Sequence, residues 1–287
     1  ASMRYDVVLG RRGSLDKESV VRDSDLVVAT GVQEIGTSAG EAEVRLSLVT
    51  AIEEAWLREL FPDDIAAKRA VFFDAGQKRV RAEERVQFRD LAIGAGKATE
   101  PTDQEAAGVL ATEVLEGRIV LKEWDHAVEQ WITRLNCLAA WCPELGLPAL
   151  LPEDRRHLFE QVCLGARGAK DVKERPVWPA VRSWLSKSQQ ELLDQHAPER
   201  IALSNGRTPK VVYDNANPPY VAVQIQHLYG VRKRITIAMG RVNVLVHILA
   251  PSQRPVQVTD DLASFWDNAY AQVKKELQRK YPKHEWR

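Results

Sequence analysis

Between Lys122 and Trp141 the large apolar side chains fall at Trp124, Val128, Trp131, Ile132, Leu135 and Leu138. Steps of three and four residues place them on one stripe of an α-helix and on no single face of a strand. A stripe of that width must be buried against other elements, so it fixes a packed core in the middle of the chain. Pro143, Gly146 and Pro148 end the helix. Helical signals continue on both sides. Thr102-Asp103-Gln104-Glu105 has the form of a capping box opening a helix that stops at Gly117. A third helix reads from Pro152 to Gly165, and two shorter ones from Pro179 to Leu185 and from Ser186 to Gln195. The last opens on a second capping box, Ser186-Lys187-Ser188-Gln189.

The flanks carry a different pattern. From residue 4 to about 100, short apolar runs recur at Tyr5 to Leu9, Leu26 to Ala29, Val44 to Val49, Ala70 to Phe73 and Val80 to Ile93. Gly10, Gly13, Gly31, Gly36, Gly40 and Gly76 punctuate them. One helix, Glu53 to Leu60, stands between the third and fourth runs and stops at Phe61-Pro62-Asp63-Asp64. About five strands with a helix in that place is the order of a small OB-like barrel. After Pro198, Arg200 to Ser204 and Lys210 to Tyr213 flank the hairpin signal Asn205-Gly206. Val221 to Ile225, Val242 to Leu249 and Val256 to Val258 read as strands. A long helix then starts at Thr259-Asp260-Asp261 and runs to Lys280, where Pro282 stops it. The fold class expected is α+β, in three parts: an OB-like β-rich domain over 1–101, a helical domain over 102–197, and a small α/β domain over 198–287.

Composition excludes several classes. The charged residues balance, 40 basic against 40 acidic, and 45 % of the chain is hydrophobic, as in soluble globular domains. No apolar run approaches the roughly 20 residues of a membrane span. Cys137, Cys142 and Cys163 are odd in number and have no C-x-x-C spacing, which fits reduced thiols in the cytoplasm better than a disulfide framework or a zinc site. Ala1-Ser2-Met3 is not a signal peptide and reads as a short vector remnant on a piece of a longer protein.

Motifs for chemistry are missing. There is no G-x-x-x-x-G-K-[ST] and no G-x-G-x-x-G. Gly94-Ala95-Gly96-Lys97 lacks the first half of a phosphate loop. None of His126, His157, His196, His227, His247 and His284 has metalloprotease spacing. Ser14-Leu15-Asp16-Lys17 matches S-x-x-K without its companion motifs. Asp63-Asp64 and Asp260-Asp261 suit helix ends better than a cation. No catalytic residue and no metal ligand is expected.

The cations are more informative. Residues 198–287 hold 14 basic and 7 acidic residues, a balance of +7, and the remainder carries −7. That asymmetry suits either a polyanion partner or docking against an acidic domain. As a strand, Lys78 to Asp90 puts Arg79, Arg81, Arg85 and Arg89 on one face with Glu83 and Gln87, and Val80, Ala82, Val86 and Phe88 on the other. Such a face either tracks phosphates or is a solvated exterior paired with Glu83, Glu84 and neighbouring strands. Arg232-Lys233-Arg234, Arg241 and Arg254 form a second cluster, with Tyr220 and Tyr229 the nearest aromatics. Trp124, Trp131, Trp141, Trp184 and Trp266 read as helix packing.

One segment carries a family resemblance. Pro251-Ser252-Gln253-Arg254-Pro255-Val256-Gln257-Val258-Thr259-Asp260-Asp261-Leu262-Ala263-Ser264-Phe265-Trp266, followed by Lys274 to Trp286, closely resembles the C-terminal block of the bacterial HrpB-type DExH-box helicases. Leu192 to Pro198, Asn205-Gly206-Arg207, Pro218-Pro219, Leu228-Tyr229-Gly230, Gly240-Arg241-Val242 and Glu59 to Asp64 are similar as well. The resemblance implies a non-catalytic accessory region of a cytoplasmic ATP-dependent helicase. ATP and Mg2+ would belong to amino-terminal RecA-like core domains, and no ATPase residue carries over to this chain. Its implied partners are single-stranded nucleic acid and the helicase core. The alternative is a protein-interaction platform that recruits a partner to the helicase. No membrane is implied.

Overall fold

The computed structural model describes residues 4–36 and 42–287. Ala1 to Met3, and Gly40 among the punctuating glycines, lie outside the described residues. The chain is α+β and divides into two compact units: Ala1–Glu113 with Cys163–Asp171, and Val114–Val162 with Val172–Arg287.

In the first unit β1 (Arg4–Val7), β2 (Arg11–Leu15), β3 (Val27–Gly36) and β4 (Ala42–Ala51) form a sheet in the order β1-β2-β4-β3. β2 and β4 run parallel, and the other pairs are antiparallel. Leu15, Val44 and Leu46 make its core, with Tyr5, Val7, Ala29 and Val49 packed against them. The helix α1 (Glu54–Leu60) sits where the sequence puts it, buries only Leu57, and ends at a 3-10 turn over Pro62–Asp64. A second sheet follows, the meander β5 (Ile65–Asp74), β6 (Arg79–Phe88), β7 (Leu91–Thr99). Thus the strands described do not close into the expected five-strand barrel; seven strands form two separate sheets. The apolar runs undercount because β2 is short and arginine-rich, and because the single run Val80 to Ile93 holds two strands, β6 and β7, divided by a turn at Arg89-Asp90. The unit continues into α2 (Asp103–Leu115), whose capping box forms as read: Glu105 N–H donates to Thr102 Oγ1 at 3.2 Å, and Thr102 N–H donates to Glu105 Oε2 at 2.8 Å. Residues 163–171 return to β6. Val80 N–H donates to Arg167 O at 2.8 Å and Ala169 N–H to Lys78 O at 2.9 Å.

The second unit centres on α3 (His126–Trp141), which buries Val128, Trp131, Ile132, Leu135 and Leu138. It starts four residues later than the sequence suggests because Asp125 is the N-cap, accepting from the Ala127 and Val128 N–H groups. α4 (Arg155–Cys163), α5 (Ala169–Lys173), α6 (Trp178–Arg182) and α7 (Lys187–His196) follow. Ser186 and Gln189 complete the second capping box.

Beyond Pro198 the hairpin around Asn205-Gly206 is narrow, with an isolated Arg200–Lys210 bridge ahead of β8 (Val211–Val212). β9 (Tyr220–Gln224) pairs with β8, β10 (Thr236–Ile237) pairs with β11 (Val242–Asn243), and β12 (Leu245–Leu249) lies parallel to β9 and antiparallel to β13 (Pro255–Thr259). The apolar run Val242 to Leu249 is therefore two strands; Val244 between them is buried and donates its N–H to Ile235 O. The final helix is also divided. Asp261 caps α8 (Leu262–Ser264), a π-helical turn spans Phe265–Ala269, and α9 (Tyr270–Lys280) completes it. Cys137, Cys142 and Cys163 are buried and form no disulfide among the described residues.

Candidate nucleic-acid interface

The strand β6 delivers part of the expected cationic face. Val80 and Ala82 point into the core as alternation requires. Pairing with β7 then shifts register between Glu84 and Val86, a bulge that interrupts the face at Arg85. Arg89 is not on the strand. It lies in the turn to β7 with φ +56°, and its N–H donates to Asp64 O at 2.7 Å.

Three of the four arginines are paired with carboxylates. Arg81 lies 3.5 Å from Asp74, Arg85 2.9 Å from Glu83, and Arg89 2.9 Å from Asp64. The Asp64 contact raises the Arg89 pKa further above its ordinary value. Arg79 forms no ion pair among the described residues and borders a shallow hollow of about 170 Å3 with Gln77, Arg81, Thr99 and Glu100. The second cluster behaves alike. Arg232 meets Asp267 at 2.5 Å, Arg234 lies 3.6 Å from Asp261, and Arg241 lies 2.6 Å from Glu144. Lys233 and Arg254 are exposed and have no carboxylate partner among the described residues. Of nine cations singled out by sequence, Arg79, Lys233 and Arg254 thus keep an uncompensated charge. No electrostatic signal in the sequence separates them from the other six, since most of the paired acids come from distant positions.

Sequence reasoning missed a second place in the molecule. In the second unit, α3, α6 and the segments around Glu199 and Lys210–Tyr213 enclose a cleft of about 330 Å3. Its wall includes Arg134, which is 2 % exposed. The Arg134 Nη2 donates to Asp194 Oδ1, and Nη1 lies 3.1 Å from Glu199 Oε1 without hydrogen-bond geometry. Nε also hydrogen-bonds no group among the described residues. Tyr213 is fixed by its backbone, which exchanges hydrogen bonds of 3.0 and 3.1 Å with the Gln130 side chain, and by its hydroxyl, which donates to Pro198 O at 2.7 Å. Burial drives the Tyr213 pKa upward and keeps the phenol neutral. An arginine at a helix position that faces the core was the available signal: Arg134 sits between Trp131 and Leu135 in the apolar stripe of α3.

The Cys137 thiol is not poised as a nucleophile. Burial, with a smaller contribution from Asp214, pushes the Cys137 thiol up to about 11, and its Sγ is 3.4 Å from Asp214 O. Among the described residues no group of three or more His, Cys, Asp or Glu is gathered as a metal site.

Residues 158–287 match the family model described as ATP-dependent helicase C-terminal. The chain is 29 % identical to the ATP-dependent RNA helicase HrpB of Escherichia coli K12, over 99 % of this chain and 35 % of the relative. Two crystal structures of E. coli HrpB are similar in fold. The one described as a DExH-box NTPase has a TM-score of 0.63 at 27 % identity, covering 100 % of this chain and 36 % of that one. The one described as a DEAH/RHA helicase has a TM-score of 0.58 at 27 % identity, covering 99 % and 35 %. In sequence and fold this chain matches the C-terminal region of the HrpB-type ATP-dependent helicases. It spans about a third of the length of these relatives.

Proposed function

We propose that this chain is the non-catalytic accessory region of a cytoplasmic ATP-dependent nucleic-acid helicase. The observation that carries the reading is the similarity along nearly the full chain to about a third of a protein named as an RNA helicase, together with the match of residues 158–287 to a helicase C-terminal family model. ATP and Mg2+ have no fitting residues here, because the phosphate loop that would cradle them is missing from the sequence. Their chemistry belongs to core domains elsewhere in the parent protein. The first unit is the part that meets those domains: Trp56, Leu60, Phe61 and Phe72 expose large apolar surfaces on and beside its second sheet, the kind of surface a docked domain covers. In this role the OB-like part named from the sequence is an open pair of sheets. Nucleic acid is held along its phosphates, chiefly by the uncompensated Arg79, Lys233 and Arg254.

Filter binding of a labelled single strand across a salt series tests this. Each phosphate contact contributes about −0.7 to the slope of log K against log salt. The substitution of alanine for Arg79, Lys233 and Arg254 together flattens that slope, and alanine at Arg81, Arg85 and Arg89 changes it less, because those guanidiniums are neutralised. Tight binding indifferent to salt contradicts phosphate tracking, and ATP turnover by the purified chain contradicts the accessory role.

The pairing of six predicted cations gives some support to a second reading, a platform that recruits a protein partner. Retention of one stoichiometric protein, with no salt-sensitive strand binding, decides for it.

A further inference from the structure

The cleft beside Arg134 has the composition of a small-ligand site. Its volume of about 330 Å3 falls in the range of roughly 300–1,000 Å3 that ligand pockets occupy. Trp131, Trp178 and Tyr213 supply aromatic surface, and Arg134, Arg182 and Lys210 supply positive charge, against one lining carboxylate, Glu199. The cations differ in how they are held. Arg134 is buried and matched by Asp194 and Glu199. Arg182 and Lys210 are exposed at the rim and form no ion pair among the described residues. The Arg182 guanidinium sits over Trp178, its Cζ 5.4 Å from the ring centroid. The two side chains therefore present adjoining aromatic and cationic surface.

We infer that this cleft binds a nucleoside monophosphate unit, its base stacked on the Trp178–Arg182 surface and its phosphate at Arg182 and Lys210. The base supplies a π-face of the kind that stacks on tryptophan whatever its sequence. The phosphate supplies the charge that the two rim cations lack. Gln130 and the Pro198 carbonyl fix Tyr213, so the wall is set before a ligand arrives. Arg134 forms part of the wall and is a positioning residue: its bond to Asp194 ties α3, which lines the cleft, to the neighbouring α7. The unit is either a free nucleotide or the phosphorylated end of a strand, and both carry the same chemistry. The inference does not rest on the cations of the strand-binding proposal, which are different residues.

Isothermal titration of the whole chain with AMP, adenosine, inorganic phosphate and an acidic peptide tests it. AMP binds at one site, and adenosine and phosphate each bind at least about tenfold more weakly, because each lacks half of the recognition. Trp178→Ala, and separately the pair Arg182→Ala and Lys210→Ala, weaken AMP about tenfold or more. The rim pair is exposed, so it keeps the test valid should the tryptophan change disturb folding. Alanine at Arg79, Lys233 and Arg254 leaves AMP affinity unchanged whether or not it alters strand binding. A 5′-phosphorylated trinucleotide that displaces AMP identifies a strand end, and one that does not identifies a free nucleotide. The inference fails if AMP binds no better than phosphate, or if the rim pair can be removed without loss. It fails equally if the acidic peptide binds and AMP does not.

Discussion

The Arg134 cluster allows a stability argument with a definite sign. The guanidinium is 2 % exposed, whereas the side chains of Asp194 and Glu199 are 72 % and 69 % exposed. Removing a carboxylate therefore leaves a buried charge behind, whereas removing the arginine leaves two carboxylates that water already reaches. Asp194→Ala takes away the hydrogen bond on Nη2, which is worth about 1.5–3 kcal/mol for a charged donor. Glu199 stays within ion-pair distance and limits the loss, so about 2 kcal/mol is expected. Removing both carboxylates abandons the charge and costs about 3–5 kcal/mol. That exceeds the sum of the single changes if the two acids substitute for one another. Arg134→Met fills similar space without a charge and costs less than either, within about 1 kcal/mol of neutral. Urea unfolding followed by tryptophan fluorescence reports on the right part of the molecule, since seven of the eight tryptophans lie in the second unit. The order Arg134→Met, then Asp194→Ala, then the double change is the expected ranking. If each carboxylate change costs under about 0.5 kcal/mol, as exposed pairs do, while Arg134→Met costs more than about 2, the guanidinium is solvated and the reasoning is wrong.

Two further outcomes follow from the first unit. Glu105 is held down from the ordinary 4.5 to about 2, first by the Arg69 guanidinium and then by the Thr102 N–H. Its folded pKa is depressed, so its contribution is complete above about 4.5 and fades as pH falls toward 2. The melting temperatures of the parent and Glu105→Gln should therefore differ at neutral pH and converge near pH 2; a gap independent of pH would refute the assignment. Gly168→Ala places a Cβ 2.8 Å from the Lys78 carbonyl oxygen, where residues 163–171 bridge to β6. Backbone must move, at a cost of about 1–3 kcal/mol, and an unchanged thermal transition would show that the bridge yields freely.

The helices were legible because their signals are local. Apolar spacing locates α3, two capping boxes locate the starts of α2 and α7, and Pro282 marks the end of α9. The strands were harder to read. β5 carries Lys68 and Arg69, which face Arg85 and Glu84 across the ladder, so its first half has no apolar run to betray it. The π-helical turn over Phe265–Ala269 has no spacing rule that would have found it. Closure of a barrel depends on which strands pair at long range, and the order β1-β2-β4-β3 with a parallel step is not encoded in any one strand's alternation.

The charges show the same limit at the candidate site. A list of arginines records where positive charge is attached, whereas binding depends on charge that remains uncompensated after folding. Arg85 and Glu83 are two residues apart and their pairing could be anticipated from strand spacing. Arg241 and Glu144 are separated by nearly a hundred residues, and only the packing of the second unit brings them to 2.6 Å. The converse holds for Arg182 and Lys210, which belong to no basic cluster in the sequence. They become prominent because folding places both in the wall of one cleft with Trp178, neither ion-paired among the described residues, and a phosphate offered there replaces water at two cations without first displacing a paired carboxylate.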